Sequence, residues 1–149
     1  VDPWFVISKT PSEAKIIHTA RKVNDAKPDW VINKVRKAIA DYLKGHPEKA
    51  AKDIKIACYG LTFKPDIDDL RESPALYIAL EIARIHAGHV FAVEPNIELL
   101  PHGGGEVELV DFEVASKNAD IQVLLVGHSQ FKESDGVNGV IIDVTGIWV

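Results

Sequence analysis

Two cations seven residues apart, Lys64 and Arg71, bracket the acids Asp66, Asp68 and Asp69 in the stretch Gly60-Leu61-Thr62-Phe63-Lys64-Pro65-Asp66-Ile67-Asp68-Asp69-Leu70-Arg71-Glu72-Ser73-Pro74. An ammonium and a guanidinium fork both suit phosphate oxygens. The acids between them can shape a loop through turns and ion pairs, and Phe63 adds an apolar wall beside Lys64. The opposing reading is local: Lys64 pairs with Asp66 or Asp68, and Arg71 with Asp69 or Glu72, on an ordinary surface. The stretch follows an apolar run at 54–59 and precedes a helix-like run at 75–87. It therefore lies at the carboxyl end of a strand, where open α/β sheets place their ligand sites.

The elements that must hold this loop follow from periodicity. Thr10-Pro11-Ser12-Glu13 reads as a helix start, with Thr10 as N-cap, Pro11 in the first turn and Glu13 closing a capping box. Apolar residues then recur at helical spacing from Ile16 to Tyr42, interrupted at Pro28, which either kinks one long helix or begins a second. Gly45-His46-Pro47 ends the segment. Such a helix has more apolar stripe than a small domain covers, so part of it is expected to face another chain or domain. Beyond it, strands at 55–59, 89–93, 106–110, 121–126 and 140–144 alternate with helices. Ser73 caps the first of these with Pro74 in its opening turn, and Asp111 caps a shorter one at 112–118. The alternation predicts an α/β fold: a Rossmann-like, mostly parallel sheet with flanking helices, preceded by the long helix. The division is 1–46 for the helical segment and 47–149 for the sheet domain. His102-Gly103-Gly104-Gly105 reads as a flexible loop.

Length and composition narrow the classes. A chain of 149 residues with 46% hydrophobic and 26% charged residues has the makings of an ordinary globular domain with its own core. The net charge of −5, without a block of like charge, argues against a nucleic-acid arm. Cys58 is the sole cysteine, which rules out an internal disulfide and is compatible with a reducing cytosol. It sits inside an apolar strand run and is expected to be an inert packing residue rather than a nucleophile. His86 and His89 are three residues apart, but no cysteine or further histidine stands beside them in the sequence to complete a ligand set, and a metal site is not expected. His128-Ser129 is read as a polar loop pair rather than part of a triad.

The loop at 60–74 closely resembles the signature of the UDP-glucose/GDP-mannose dehydrogenase family, in its carboxyl-terminal UDP-sugar-binding domain. The likeness continues through Val93-Glu94-Pro95-Asn96, Gly127-His128-Ser129-Gln130-Phe131 and Ile142-Asp143. Ala20-Arg21-Lys22-Val23-Asn24-Asp25 is similar to the start of the family's central helix, and Val1-Asp2-Pro3-Trp4-Phe5 to the tail of its active-site motif. The resemblance implies an NAD-dependent sugar-nucleotide 6-dehydrogenase, cytoplasmic, serving surface polysaccharide synthesis, and dimeric through the central helix. It implies that Lys64 and Phe63 contact the UDP-sugar and that Arg71 reaches the NAD pyrophosphate. Asp2 would support the water chemistry that resolves a cysteine thioester. The nucleophilic cysteine would lie before Val1, so the chain is expected to be a fragment that turns nothing over alone. No Gly-x-Gly-x-x-Gly follows a strand here, and the NAD cofactor is expected mainly on an amino-terminal domain. Thr145 stands where many family members carry a cation, a role that Lys132 could fill instead. A sister enzyme for UDP-glucose or GDP-mannose, and a non-catalytic nucleotide-binding or dimerisation module, are the competing readings.

Overall fold

A computed structural model describes residues 2–100, 107–132 and 137–148. The glycine-rich stretch at 102–105 lies outside them. Five strands form one sheet in the order β3-β2-β1-β4-β5: β1 (Ile56–Tyr59), β2 (Val90–Val93), β3 (Glu108–Leu109), β4 (Ile121–Leu124) and β5 (Val140–Asp143). Every pairing is parallel, with Ile56 opposite Val90 on one side and Ile121 on the other. The order reverses between β1 and β4, so the switch point that receives ligands in doubly wound sheets lies at their carboxyl ends.

The sheet is covered on both faces, which is why β1, β2 and β4 are buried along their whole length. Alternate residues of a strand point to opposite faces. Ile56 and Cys58 join one core with Val31, Ile32 and Val35 of α3 (Lys27–Gly45) and Ile78, Ala79 and Ile82 of α4 (Pro74–Ile85). Ala57 and Tyr59 join the other, with Ala115 of α5 (Phe112–Asn118) and Phe131 of α6 (Ser129–Lys132). The result is the expected Rossmann-like three-layer arrangement.

The amino-terminal region departs from expectation in one place. An unforeseen helix, α1 (Asp2–Lys9), precedes the proposed cap, and α2 (Lys15–Asp25) starts only after Ala14. Thr10 does not cap the second helix. Its hydroxyl and amide both bond the Val6 carbonyl and close the first one, while its own carbonyl accepts from the Glu13 and Ala14 amides. Pro28 does begin a new helix. Ala26 alone separates α2 from α3, Pro28 lies in the first turn of α3, and the long rod bends by 33°. Proline has no N–H to continue the preceding ladder. Every residue of α2 is exposed or half-buried, and Trp4, Phe5, Ile16, Val23 and Trp30 present apolar surface to solvent.

The rod is anchored by its second half. Asp120, at the start of β4, accepts from the Tyr42 hydroxyl at 2.6 Å, the Lys49 ammonium at 2.9 Å and the Lys55 amide at 2.9 Å. This ties α3 to the amino end of the sheet.

Candidate functional site

The loop between β1 and α4 is built on two close approaches. Gly60 leaves the strand at φ +79°, a conformation that suits glycine, and a Cβ there would lie 2.4 Å from the Val126 carbonyl oxygen. Strand β1 can therefore press against the turn after β4. At the far end Ser73 caps α4, accepting from the Leu76 amide at 3.3 Å and donating to the Leu61 carbonyl at 2.6 Å. The Phe63 amide reaches the Asp69 carbonyl at 2.8 Å, so the loop folds back on itself. Asp66 and Glu72 sit in the left-handed region, at φ 60° and 53°.

Beneath the loop lies a buried acid–imidazole pair. The Glu94 carboxylate at the end of β2 accepts from the amides of Leu61 at 2.7 Å and Thr62 at 3.2 Å, and from His128 Nε2 at 2.9 Å. Its other oxygen takes the amide and side-chain nitrogens of Asn96. Burial alone would raise this carboxyl, but His128 and the Leu61 and Asn96 amides outweigh it and hold it below the usual range. Across the switch point, Asp66 accepts from the Ser129 amide at 2.8 Å and hydroxyl at 2.7 Å. These two bonds hold Asp66 below its ordinary pKa.

The predicted cations sit on the outside of this frame. Lys64 is exposed, with Nζ 5.7 Å from the centre of the Phe63 ring, itself 48% exposed. Among the described residues Lys64 has no carboxylate partner: Asp66, one of its proposed local partners, is turned to Ser129. Arg71 does make the local pair. Its Nε and Nη2 meet the two Asp69 oxygens at 2.9 Å each, its amide adds a third bond at 3.0 Å, and Glu72 is not involved. These bonds hold the Asp69 carboxyl down at about 2. The guanidinium remains 88% exposed, aligned by Asp69 rather than covered by it.

The remaining predicted positions fall as follows. The Asp2 side chain lies outside the described residues. Cys58 is fully buried and its thiol is pushed up to about 12 by burial, which suppresses the thiolate needed for nucleophilic attack. The Thr145 hydroxyl and amide both donate to Asp143, at 2.9 and 2.7 Å. Asp143 also accepts from the Gly146 and Trp148 amides, so this turn is closed on itself. Sequence reasoning quoted Glu94 without giving it a role. The available signal was an ionisable residue directly after a buried apolar strand, which must find donors nearby.

A fully parallel 3-2-1-4-5 sheet with a charged loop at its switch point defines an α/β unit of Rossmann type. Residues 57–149 match the UDP binding domain of the UDP-glucose/GDP-mannose dehydrogenase family, and the chain belongs to that family. It is 51% identical, over 99% of its length, to UDP-N-acetyl-D-mannosamine dehydrogenase of Yersinia pestis. It is 44% identical to an NDP-N-acetyl-D-galactosaminuronic acid dehydrogenase of Ralstonia nicotianae, again over 99% of the chain. The structure superposes on UDP-N-acetyl-mannosamine dehydrogenase Cap5O from S. aureus with a TM-score of 0.71, at 32% identity and over 99% of the chain. The chain spans 36%, 34% and 33% of the lengths of these three proteins, about a third in each case.

Proposed function

We propose that this chain is the carboxyl-terminal, nucleotide-holding part of an NAD-dependent UDP-N-acetyl-D-mannosamine 6-dehydrogenase, an enzyme that oxidises the sugar C6 alcohol to a carboxylate. The observation that carries the reading is Lys64: an exposed ammonium without a carboxylate partner among the described residues, held on a braced loop at the switch point, in a chain 51% identical to a UDP-N-acetyl-D-mannosamine dehydrogenase. Lys64 would hold the diphosphate or a sugar oxygen of the UDP-sugar, and Phe63 would wall the site.

Arg71, aligned by Asp69, fits the pyrophosphate of NAD, which would supply hydride acceptance when bound. The rest of the dinucleotide does not fit this sheet. In a dinucleotide crevice an acid after a strand takes the ribose hydroxyls, whereas both Glu94 oxygens are occupied by protein donors. NAD would then be held mainly by an amino-terminal domain. Asp2 would assist water attack on a cysteine thioester whose cysteine also lies beyond it. The apolar surface of the helical segment at 1–46, with Trp4, Phe5, Ile16 and Val23, would form a homodimer contact. The setting would be the cytoplasm.

Calorimetric titration of the chain with UDP, beside Lys64→Ala, tests the reading. Heat is expected for the intact chain, with binding about tenfold or more weaker in the variant, the scale of one lost charged hydrogen bond. Equal binding by both would remove Lys64 from the site, and stronger binding of GDP than of UDP would move the chain to the GDP-mannose branch.

A further inference from the structure

We propose that Glu94 and His128 are positioning residues for Lys64: a buried clamp that sets the stretch of backbone from which the ammonium reaches out. The proposal deepens the nucleotide-binding reading and rests on it for the role of Lys64, while the clamp itself stands on geometry alone.

Lys64 is pinned from both sides by one carboxylate–imidazole pair. On its amino-terminal side the Leu61 and Thr62 amides donate to Glu94, at 2.7 and 3.2 Å. On its carboxyl-terminal side the Asp66 amide donates to His128 Nδ1 at 2.9 Å. The Lys64 carbonyl itself accepts from the Thr62 hydroxyl at 2.9 Å. The span between the two anchors is too short to move independently of them.

The chemistry of the pair fixes its protonation. Glu94, an ionised acceptor, can only receive, so His128 Nε2 carries the proton. Nδ1 is then the bare acceptor, because it faces the Asp66 amide at 2.9 Å and the Asn96 side-chain nitrogen at 3.2 Å, while the nearest Asp66 carboxylate oxygen stands at 3.8 Å, outside hydrogen-bond reach. The other tautomer would set donor against donor at Nδ1 and acceptor against acceptor at Nε2. Both side chains are completely buried, so neither meets solvent. A buried acid with donors from three loops costs desolvation and is weak evidence for stability. Its geometric effect is specific: it joins the loops after β1, β2 and β4 across the switch point.

Two measurements test this. In 15N NMR of the chain without nucleotide, His128 should show a protonated Nε2 and a bare Nδ1, and the Leu61, Thr62 and Asp66 amides should exchange slowly. The opposite tautomer, or fast exchange at all three, would overturn the clamp. In a double-mutant cycle on UDP affinity, Glu94→Gln should weaken binding about tenfold in the intact chain yet cost less than about twofold in the Lys64→Ala background. Full additivity would show that Glu94 acts on something other than Lys64. Should Glu94→Gln fail to fold, His128→Asn, which offers an acceptor near the Nδ1 place, should bind UDP several-fold better than His128→Ala. Equal binding by those two would contradict the proposal. Failure of the intact chain to bind UDP would sink the nucleotide reading, and the NMR data would still decide the clamp.

Discussion

Two carboxylates sit at opposite ends of the same sheet and do different work with the same chemistry. Asp120, at the amino end, collects Tyr42, Lys49 and the Lys55 amide, segments 65 to 78 residues away. Glu94, at the carboxyl end, collects Leu61, Thr62, Asn96 and His128. At the amino end the nearby cation is consumed, since Lys49 is spent on Asp120. At the carboxyl end the His128 imidazole meets the acid, and of the two cations on the loop above it Arg71 pairs with Asp69 while Lys64 is exposed without a carboxylate partner among the described residues.

The contrast can be broken from either end. The largest effect is expected from Gly60→Ala. Its Cβ would lie 2.4 Å from a backbone oxygen at positive φ, which forces β1 away from the turn after β4. A loss of about 3 kcal/mol or more is expected, read as a lowered urea midpoint together with loss of UDP binding. Asp120→Ala comes next. It leaves the Tyr42 hydroxyl and Lys55 amide without their acceptor, a loss of about 2–3 kcal/mol, while UDP affinity of the folded protein should stay within about twofold. If Asp120→Ala instead abolished binding in a folded chain, the two ends would not be separable.

Acid should reveal the amino-end staple more gently. Burial would raise the Asp120 carboxyl, but the Lys55 amide, Tyr42 and Lys49 together lower it. A folded pKa below the unfolded value, near 3.9, gives stability that is complete above that value. It is lost as pH falls through the lower, folded one. The acid-unfolding curve of Asp120→Asn should therefore be flatter below about pH 4 than that of the parent. Parallel curves would mean that the carboxylate is not held as described.

Much of the sheet domain was legible because its signals are local. Ser73-Pro74 marks the start of α4, α5 spans 112–118 as its pattern indicates, and the apolar runs mark β1 and β4. Strand ends were read too long where the last bond is made by something other than the ladder: Lys55 was assigned to β1, yet its amide goes to the Asp120 side chain. Thr10-Pro11-Ser12-Glu13 misled because a hydroxyl before a proline suits the end of one helix as well as the start of another. In the loop after β1, the local pairing of Arg71 with Asp69 was legible from charge and spacing, and the ligand roles of Phe63, Lys64 and Arg71 came from the family resemblance. Glu94 and His128 were not legible, because their partners lie 33 and 34 residues apart along the chain, where no local periodicity reaches.

The central claim is that nucleotide binds at the carboxyl edge of the sheet, above the Glu94–His128 pair. Amide chemical-shift mapping during a UDP titration locates the ligand directly. Shifts should concentrate at residues 61–66 and 127–129. A hollow of about 530 Å³ between α3 and β5, lined by Lys34, Lys37, Tyr42, His46 and Ile141, should remain silent. Shifts confined to that hollow, with the loop unmoved, would contradict the account.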